Sequence, residues 1–473
     1  MKKRLTFILL SIFMIFSMTS CSQRMTLLFL NWGEYIDESL LDAFEEKYNC
    51  NVLMDLGESN EIFYSKVFAG TTVYDVVCPS DYMVMKMYKK DLIREIDFSR
   101  LNNYDPVDNI RDGVLSIRED MIAGTDENIT NYYVPYLWGT WGIMYSTLKE
   151  GLEDAVVNSD SAWASLFDRN SLPSDIKVAM YDSHQHAYYA ACRYLGLDPS
   201  IELPQSRLDE IRKLVEKMGY NAWGTDSIKK DIVAGNIDVG FMWTGDFLYY
   251  YAEQAAARVV KAYIEGKITE EDFEPMLEAI TDSNVRKYKN IEIGFDIYIP
   301  EDTIAFCDNL VITKDSSPEK EDLIYKFIDF MCAEEVYINE TEENGKEAAR
   351  LSLLADEVAE ETEAVDEENI VYPANANTQY VCYDSPFKTI YSEILDLAVS
   401  EDTTSLFTKE AADEAKASTN PYDSDIYWAF YNYALSKAFD KYYPENGKKG
   451  SILGCFERKY VNLINNTFNN ARA

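Results

Sequence analysis

Residues 27–32 (LLFLNW), 51–56 (NVLMDL) and 74–78 (YDVVC) are the short apolar runs that decide the fold of this 473-residue chain. Between them lie two stretches, 39–48 and 61–69, in which apolar side chains recur at helical spacing. Strands that alternate with helices in this way form a parallel sheet with right-handed crossovers. The sequence therefore predicts an α/β protein.

The turns that follow these three strands, residues 32–35, 57–60 and 79–82, are rich in glycine, serine, acidic and aromatic residues. Ligands of open α/β sheets bind beyond the carboxyl ends of the strands. A binding site is therefore expected where these turns meet.

A second set of alternating elements follows, and the length of the chain is consistent with two or three domains. The predicted strands are 177–181, 237–243, 291–299 and 308–313, and the predicted helices include 187–195, 247–257, a helical stretch at 258–289 and a helix after Pro318. Residues 334–368 differ because they hold 14 acidic and two basic residues. They are predicted to form an acidic surface insertion that takes no part in binding.

The composition favours a cationic partner. Asp and Glu number 82 against 44 Lys and Arg, which gives a net charge of −38. Such a field repels polyanions, so nucleic acid and anionic membrane surfaces are excluded as partners. The chain also has 35 Tyr, 22 Phe and 7 Trp. Aromatic faces combined with carboxylates are the groups that bind an organic cation.

The first 20 residues are predicted to be a signal peptide. Three basic residues precede the apolar run 5–16, which is shorter than the roughly 20 residues that span a bilayer. Small residues then lead to Cys21, and the whole pattern resembles a bacterial lipoprotein signal. The mature protein is therefore expected to be exported and to be attached to the membrane only through a lipid on Cys21.

Signals of enzymatic activity are few in the sequence. It contains no phosphate-binding G-x-x-x-x-G-K, no G-x-S-x-G and no H-E-x-x-H segment. The histidines, His184 and His186, form a His-x-His pair with no placed third ligand, and the cysteines are scattered. We therefore predict no catalytic residue, no metal and no cofactor.

Six segments occur in a characteristic order along the chain. They are 29–35 (FLNWGEY), 58–61 (ESNE), 74–80 (YDVVCPS), 134–139 (VPYLWG), 241–245 (FMWTG) and 308–312 (DNLVI). In this order they closely resemble the spermidine/putrescine-binding proteins of bacterial ABC importers. The resemblance implies the two-lobed periplasmic-binding-protein fold of type II, with a hinge and a cleft between the lobes. Lobe one would comprise 26–136 and 308–380, and lobe two 137–307 and 381–473.

The same resemblance implies a set of ligand-binding residues. Aromatic residues would wall the alkyl chain of the ligand, and acidic residues would bind its ammonium groups through charge-assisted hydrogen bonds. The expected residues are Trp32, Glu34, Tyr35, Ser80, Asp81, Tyr82, Asp182, Trp243, Phe306, Asp308 and Tyr372.

Two positions depart from the family pattern. Phe306 stands where the family has a tryptophan, and Ser183 and His186 stand where it has two acids, which leaves Asp182 as the nearest acid. Fewer acids favour a ligand with fewer charges, such as putrescine, over spermidine. Protonation of a histidine at this position is expected to weaken binding below about pH 6.5.

These observations predict a binding protein, without enzymatic activity, for a polyamine ABC importer. A monomer is expected, with membrane permease subunits and a separate ATPase as its partners. Two alternatives remain at this point: a two-lobed receptor for another small cationic amine, and an exported glycoside hydrolase, which would use a pair of carboxyl groups.

Overall fold

The computed structural model describes residues 24–159, 161–338, 369–443 and 450–472. The predicted signal peptide, Cys21 and most of the predicted acidic insertion, residues 339–368, lie outside this part of the chain. The predictions made for them are therefore untested by the structure.

The described strands are β1 Thr26–Asn31, β2 Asn51–Leu56, β3 Val76–Val77, β4 Val134–Ser146, β5 Val178–Tyr181, β6 Ala222–Gly224, β7 Val239–Trp243, β8 Lys287–Tyr288, β9 Ile291–Glu292, β10 Phe295–Tyr298, β11 Ala305–Ile312, β12 Val336–Tyr337 and β13 Ile370–Val371. The described α-helices are α1 Ser39–Tyr48, α2 Asn60–Ala69, α3 Asp81–Lys89, α4 Asp112–Gly124, α5 Leu152–Val157, α6 Ala164–Phe167, α7 His184–Tyr194, α8 Gln205–Met218, α9 Asp226–Val233, α10 Thr244–Ile264, α11 Phe273–Thr281, α12 Glu321–Cys332, α13 Pro373–Val381, α14 Lys388–Asp396, α15 Glu401–Thr404, α16 Lys409–Ala417, α17 Asp425–Tyr442 and α18 Arg458–Arg472.

One mixed sheet runs through the molecule in the strand order β2-β1-β3-β11-β4-β7-β5-β6, with β10 paired to β4. Strand β1 is parallel to β2 and β3, and β5 is parallel to β6 and β7, as the alternation of strands and helices predicts. Strand β11 is antiparallel to both of its neighbours. The parallel groups at the two ends of the sheet are therefore joined by antiparallel strands in its centre.

The centre of the sheet is strand β4, in which all 13 residues are buried. Its first half pairs with β11, and its second half pairs with β7 and β10. Strands β4 and β11 contain the two places where the chain is predicted to cross between lobes. The lobe boundaries themselves stay a prediction.

Two predicted elements are each divided into two in the structure. The helical stretch 258–289 is divided, because α10 ends at Ile264 and α11 covers Phe273–Thr281. The predicted strand 291–299 is also divided, into β9 and β10, with Gly294 at a φ of 93° between them. Gly294 supplies the left-handed backbone conformation that this turn requires. The pattern of apolar residues does not reveal the turn, because it continues on both sides of the glycine.

Helices of the last hundred residues pack on helices of the part of the chain that is assigned to lobe two. Helix α17 packs on α10 and α11, and α18 packs on α8 and α7. Many side chains of α17 are apolar and buried, from Ile426 to Phe439. This C-terminal segment therefore contributes to the hydrophobic core of the molecule.

A buried ion pair joins this segment to the start of α4. The Arg111 and Asp384 side chains are 1% and 0% exposed, and their Nη2 and Oδ2 atoms are 3.0 Å apart. The guanidinium also lies 3.3 Å from the centre of the Tyr391 ring and donates a 2.8 Å hydrogen bond to the Tyr443 carbonyl. Burial raises the pKa of Asp384 to about 7, and the charge of Arg111 opposes this shift. Each charge therefore depends on the other for its stability.

Replacing Arg111 by methionine is expected to lower the free energy of unfolding by about 3–5 kcal/mol, because it leaves the Asp384 carboxylate buried without its cation. Urea denaturation followed by tryptophan fluorescence measures this change. Lys388→Met is the matched control, since Lys388 forms an exposed 4.0 Å pair with Asp112 between the same two parts of the chain. It is expected to cost less than about 1 kcal/mol. Equal unfolding midpoints for Arg111→Met and the unmodified chain would contradict the prediction.

Candidate functional site

Asp308 is the carboxylate at the centre of the candidate site. It is 5% exposed and lies on β11, where the register with β4 shifts between Asp308 and Asn309. A β-bulge at such a position changes the direction of a side chain relative to its neighbours. The Tyr35 hydroxyl donates a 2.8 Å hydrogen bond to Asp308 Oδ2, and the Ser80 hydroxyl donates a 2.5 Å bond to Oδ1. The turns after β1 and β3 thus meet at one carboxylate.

Asn60 holds the serine in this arrangement. The Asn60 side-chain amide donates a 2.9 Å bond to the Ser80 hydroxyl, and its oxygen accepts a 3.0 Å bond from the Ser80 backbone N–H. Asn60 comes from the start of α2, the turn that follows β2. All three strand ends that the sequence singles out therefore contribute to the same site.

The carboxylate of Asp308 is buried and is hydrogen-bonded by hydroxyl groups rather than paired with a basic side chain. Burial raises its pKa to about 6, and the hydrogen bonds from Ser80 and Tyr35 oppose the shift. Within the part of the chain that the structure describes, no basic side chain forms an ion pair with Asp308. An ionised carboxylate in this position gains stability when a cation approaches it.

Asp81 contacts the backbone. It is 1% exposed, and its two carboxylate oxygens accept bonds from the Cys307 N–H at 2.8 Å and the Tyr82 N–H at 2.6 Å. Burial raises the pKa of Asp81 to about 8, and the nearby charge of Asp308 adds to this shift. These contacts fix the turn after β3 to β11, while binding of a ligand by Asp81 stays a prediction.

Four aromatic residues next to Asp308 form what we call the aromatic cage, defined as Tyr35, Trp243, Phe306 and Tyr383. The centres of the Tyr35 and Tyr383 rings are 5.2 Å apart, and Phe306 packs edge-on against Trp243 at 4.5 Å. Tyr383 is 5.8 Å from Phe306 and 6.5 Å from Trp243. Three of the four residues were predicted from the sequence, and the structure brings the four rings into one cluster, in which Tyr35 contacts Asp308.

Trp32 and Tyr82 lie in the same group of turns but contact other partners. Trp32 packs on Phe63 with ring centres 4.5 Å apart, and its indole N–H donates to the Cys78 carbonyl at 2.9 Å. The Tyr82 hydroxyl lies 3.4 Å from Glu61 Oε1. Gln185 on α7 donates a 2.9 Å bond to the same oxygen of Glu61. Glu61 therefore connects the two predicted lobes.

His186 does not behave as the sequence led us to expect. It is stacked on Trp141 with ring centres 4.3 Å apart, and burial lowers its pKa to about 3. The expectation that a histidine at this position protonates near pH 6.5 is therefore wrong. The Ser183 hydroxyl lies 2.6 Å from His186 Nδ1, and ionising the ring here would remove much of its hydration, so the ring stays neutral.

Three other predicted residues lie at the surface. Asp182 forms a 2.6 Å ion pair with Arg472 of α18, which gives this acid a partner within the protein. Tyr372 is 48% exposed, directly before α13. Glu34 is also exposed and has a φ of 52°, a left-handed conformation that is uncommon outside glycine. A role for these three residues in binding stays a prediction.

Tyr383 and Asp246 are the site residues that the sequence analysis missed. Tyr383 follows Cys382, whose φ of 59° turns the chain after α13, and no periodicity marks that turn. Asp246 directly follows the matched segment 241–245, so its position in the sequence could have indicated that it lies near the site. Burial, and then the charges of Asp246 and Asp308, raise the pKa of Tyr383. Tyr383 therefore lies near both acids.

Two features are absent from the described residues. They contain no group of three or more His, Cys, Asp or Glu side chains arranged to hold a metal ion. No helix among them is long and apolar enough to cross a bilayer.

Comparison with known proteins gives two kinds of match. Residues 1–167 match a family model described as hypothetical lipoprotein (MG045 family). The spermidine/putrescine-binding periplasmic protein of Escherichia coli K12 is 28% identical over 240 residues, which cover 50% of this chain and 62% of the relative. The putrescine/cadaverine-binding protein of Pseudomonas aeruginosa PAO1 is 27% identical over 308 residues, 64% of this chain and 73% of the relative. The chain thus spans about three fifths of the length of the first of these relatives.

Solved structures match over nearly the whole chain. The spermidine/putrescine substrate-binding protein PotD of Streptococcus pneumoniae superposes with a TM-score of 0.54 at 21% identity and covers 95% of this chain and 98% of its own. A putative spermidine/putrescine ABC transporter protein of Listeria monocytogenes gives a TM-score of 0.56 at 20% identity, with 94% and 98% covered. The predicted fold class is therefore confirmed. The chain has the fold of periplasmic binding proteins, and in sequence it is similar to bacterial spermidine/putrescine-binding proteins.

Proposed function

We propose that this chain is the extracytoplasmic substrate-binding component of an ABC importer for polyamines. The observation that carries the proposal is the buried Asp308 carboxylate, which has no ion-pair partner among the described residues and adjoins the aromatic cage. An organic diammonium ion needs a carboxylate at each charged end and flat apolar faces along its alkyl chain.

The relatives support the same ligand class. Their names describe binding proteins for spermidine, putrescine or cadaverine. They do not favour a glycoside hydrolase, and Asp81, the acid that lies near Asp308, is held by backbone N–H groups rather than facing a substrate. A receptor for another small cationic amine is the second candidate, because Asp182, Ser183 and His186 do not supply the acid pair expected in lobe two.

Export and membrane attachment form part of the proposal. The lipoprotein family model and the periplasmic relatives support an exported protein. We propose that a lipid on Cys21 anchors it and that permease subunits with a separate ATPase receive the ligand. The apolar chains of a lipidated terminus hold a folded receptor at the membrane surface by inserting into the bilayer.

Titration calorimetry of the purified full chain with putrescine, cadaverine and spermidine tests the ligand class. Saturable binding of at least one of them supports the proposal. A thermal shift provides a second readout, since ligand at 100 times its dissociation constant stabilises the fold by about 2.7 kcal/mol. The absence of binding to all three polyamines would contradict it.

Removing the charge of Asp308 is expected to weaken polyamine binding strongly. In Asp308→Asn an ammonium group of the ligand is buried without its counter-ion, which costs about 2–5 kcal/mol of binding free energy. Calorimetry measures the loss, and Asp315→Asn is the control because Asp315 is the next acid along the chain and is exposed. Similar affinities for the two variants would place the cation site elsewhere.

Binding is also expected to weaken as the pH falls through about 6. The pKa of Asp308 is raised above its ordinary value, so the carboxylate is ionised above about pH 6 and takes up a proton below it. At pH 5 about one tenth of the sites remain ionised, and the affinity falls about tenfold relative to pH 7.5. The other titratable groups near Asp308 are Tyr35, Cys78, Asp81, Tyr136, Cys307 and Tyr383. Burial raises the pKa of Asp81 to about 8 and raises the pKa values of these tyrosines and cysteines well above their ordinary range.

Calorimetry at pH 5, 6 and 7.5 measures this dependence. His186 does not contribute, because its lowered pKa keeps it neutral over the whole range. A transition near pH 6 that persists in the Asp308→Asn variant would assign the titration to another group.

Replacing Cys21 by alanine is expected to release the protein from the membrane fraction, because the lipid is then missing. Fractionation followed by immunoblotting measures the distribution. A variant that stays in the membrane pellet after a salt wash would show that another segment anchors the chain.

A further inference from the structure

A lysine, Lys229, forms an ion pair with an acidic residue, Asp246, beside the aromatic cage. The Nζ atom of Lys229 on α9 lies 3.0 Å from Asp246 Oδ1 in the first turn of α10. The two side chains are 11% and 17% exposed, so the pair is largely withdrawn from water. A desolvated pair of this kind interacts more strongly than an exposed one.

Asp246 adjoins the wall of the cage. The Tyr383 ring lies against the neighbouring Gly245, where an added methyl group would come within 2.7 Å of three ring atoms. Tyr383 packs on Tyr35, whose hydroxyl donates to Asp308. Both Asp246 and Asp308 act on the hydroxyl of Tyr383, with Asp246 exerting the larger effect. The two acids therefore flank the same aromatic wall.

The ion pair also faces lobe one. Tyr250, one turn further along α10, is near enough to Lys229, Asp246 and Glu34 to feel each of their charges. Glu34 belongs to the turn after β1, so the charge of a lobe-one turn reaches the side of α10 where Lys229 and Asp246 form their pair. An ammonium group of a ligand that reached this place would encounter the ammonium group of Lys229.

The lysine has the same functional group as the end of a polyamine. A primary ammonium on an alkyl stem is what both of them present to a carboxylate. If Asp246 faced the cage without this lysine, the site would offer a further anion in addition to Asp308 and Glu34. With the lysine in place, the charge of Asp246 is balanced within the protein.

We infer that Lys229 is a specificity-determining residue that acts as an internal counter-cation for Asp246 and limits the site to ligands with two ammonium groups. The inference rests on the proposed function and deepens it. Asp308 and Glu34 then serve the two ends of a diamine, whereas the third ammonium group of a triamine finds Asp246 already neutralised. A diamine is favoured over a triamine because burying an ammonium group without a carboxylate is unfavourable.

The test compares the dissociation constants of putrescine and spermidine, measured by calorimetry on the full chain at pH 7.5. Lys229→Met exposes the charge of Asp246 to the ligand and is expected to shift the ratio of the two constants about tenfold toward spermidine, which corresponds to about 1.4 kcal/mol. Lys229→Gln is expected to shift it in the same direction, since it keeps a hydrogen bond to Asp246 without the charge.

Lys230→Met is the matched control. Lys230 is the next residue of α9 and is exposed, so its removal changes the net charge by the same amount and leaves the Asp246 pair intact. It is expected to leave the ratio unchanged. In the double variant Lys229→Met/Asp246→Asn the shift is expected to disappear, because the gain for spermidine requires the carboxylate.

An unchanged ratio in both Lys229 variants, with putrescine still bound, would overturn this inference and leave the proposed function standing. An equal shift in Lys230→Met would also overturn it, because the effect would then come from net charge alone. Failure of the unmodified chain to bind either amine would overturn the proposed function and this inference together.

Discussion

The antiparallel pairing of β4 with β11 is the interaction on which the rest of the structure depends. It joins the parallel strands β1 to β3 to the strands β5 to β7 within one sheet. It also carries Asp308 and Phe306 on one strand. The irregular register at Asp308 lets that side chain reach Tyr35 and Ser80 from the neighbouring turns. Without this pairing Asp308 would not lie between the turns of the first three strands.

The site combines an electrostatic cost with an apolar gain. Burying Asp308 raises its pKa, which means that keeping this carboxylate ionised away from water lowers the stability of the fold. The surrounding rings of the aromatic cage are buried as well, with exposures of 4% for Phe306 and 8% for Tyr383. A cation that binds beside Asp308 offsets this cost and meets aromatic faces that the protein already holds away from water, so the cation–π attraction adds to the pairing of charges.

Acids near the site differ in the partner that each has. Backbone N–H groups bind Asp81, Arg472 binds Asp182, Lys229 binds Asp246, and hydroxyl groups bind Asp308. A hydroxyl donor stabilises a carboxylate without cancelling its charge, whereas a basic side chain cancels it. The net charge of −38 therefore says little about where a cation binds. The place where a cation binds depends instead on the local partner of each acid.

The sequence by itself determined the strand–helix alternation from β1 to α3, because a buried parallel sheet requires apolar runs and each run is local in the chain. It also indicated Tyr35, Trp243, Phe306 and Asp308 through the resemblance that the ordered motifs carry. Only the tertiary structure decided that Tyr383 joins them, that His186 is stacked on Trp141 and stays neutral, and that Lys229 pairs with Asp246. The physical reason is that burial and ion pairing depend on which segments meet in space, and segments as distant as Tyr35 and Tyr383 leave no common periodicity in the sequence.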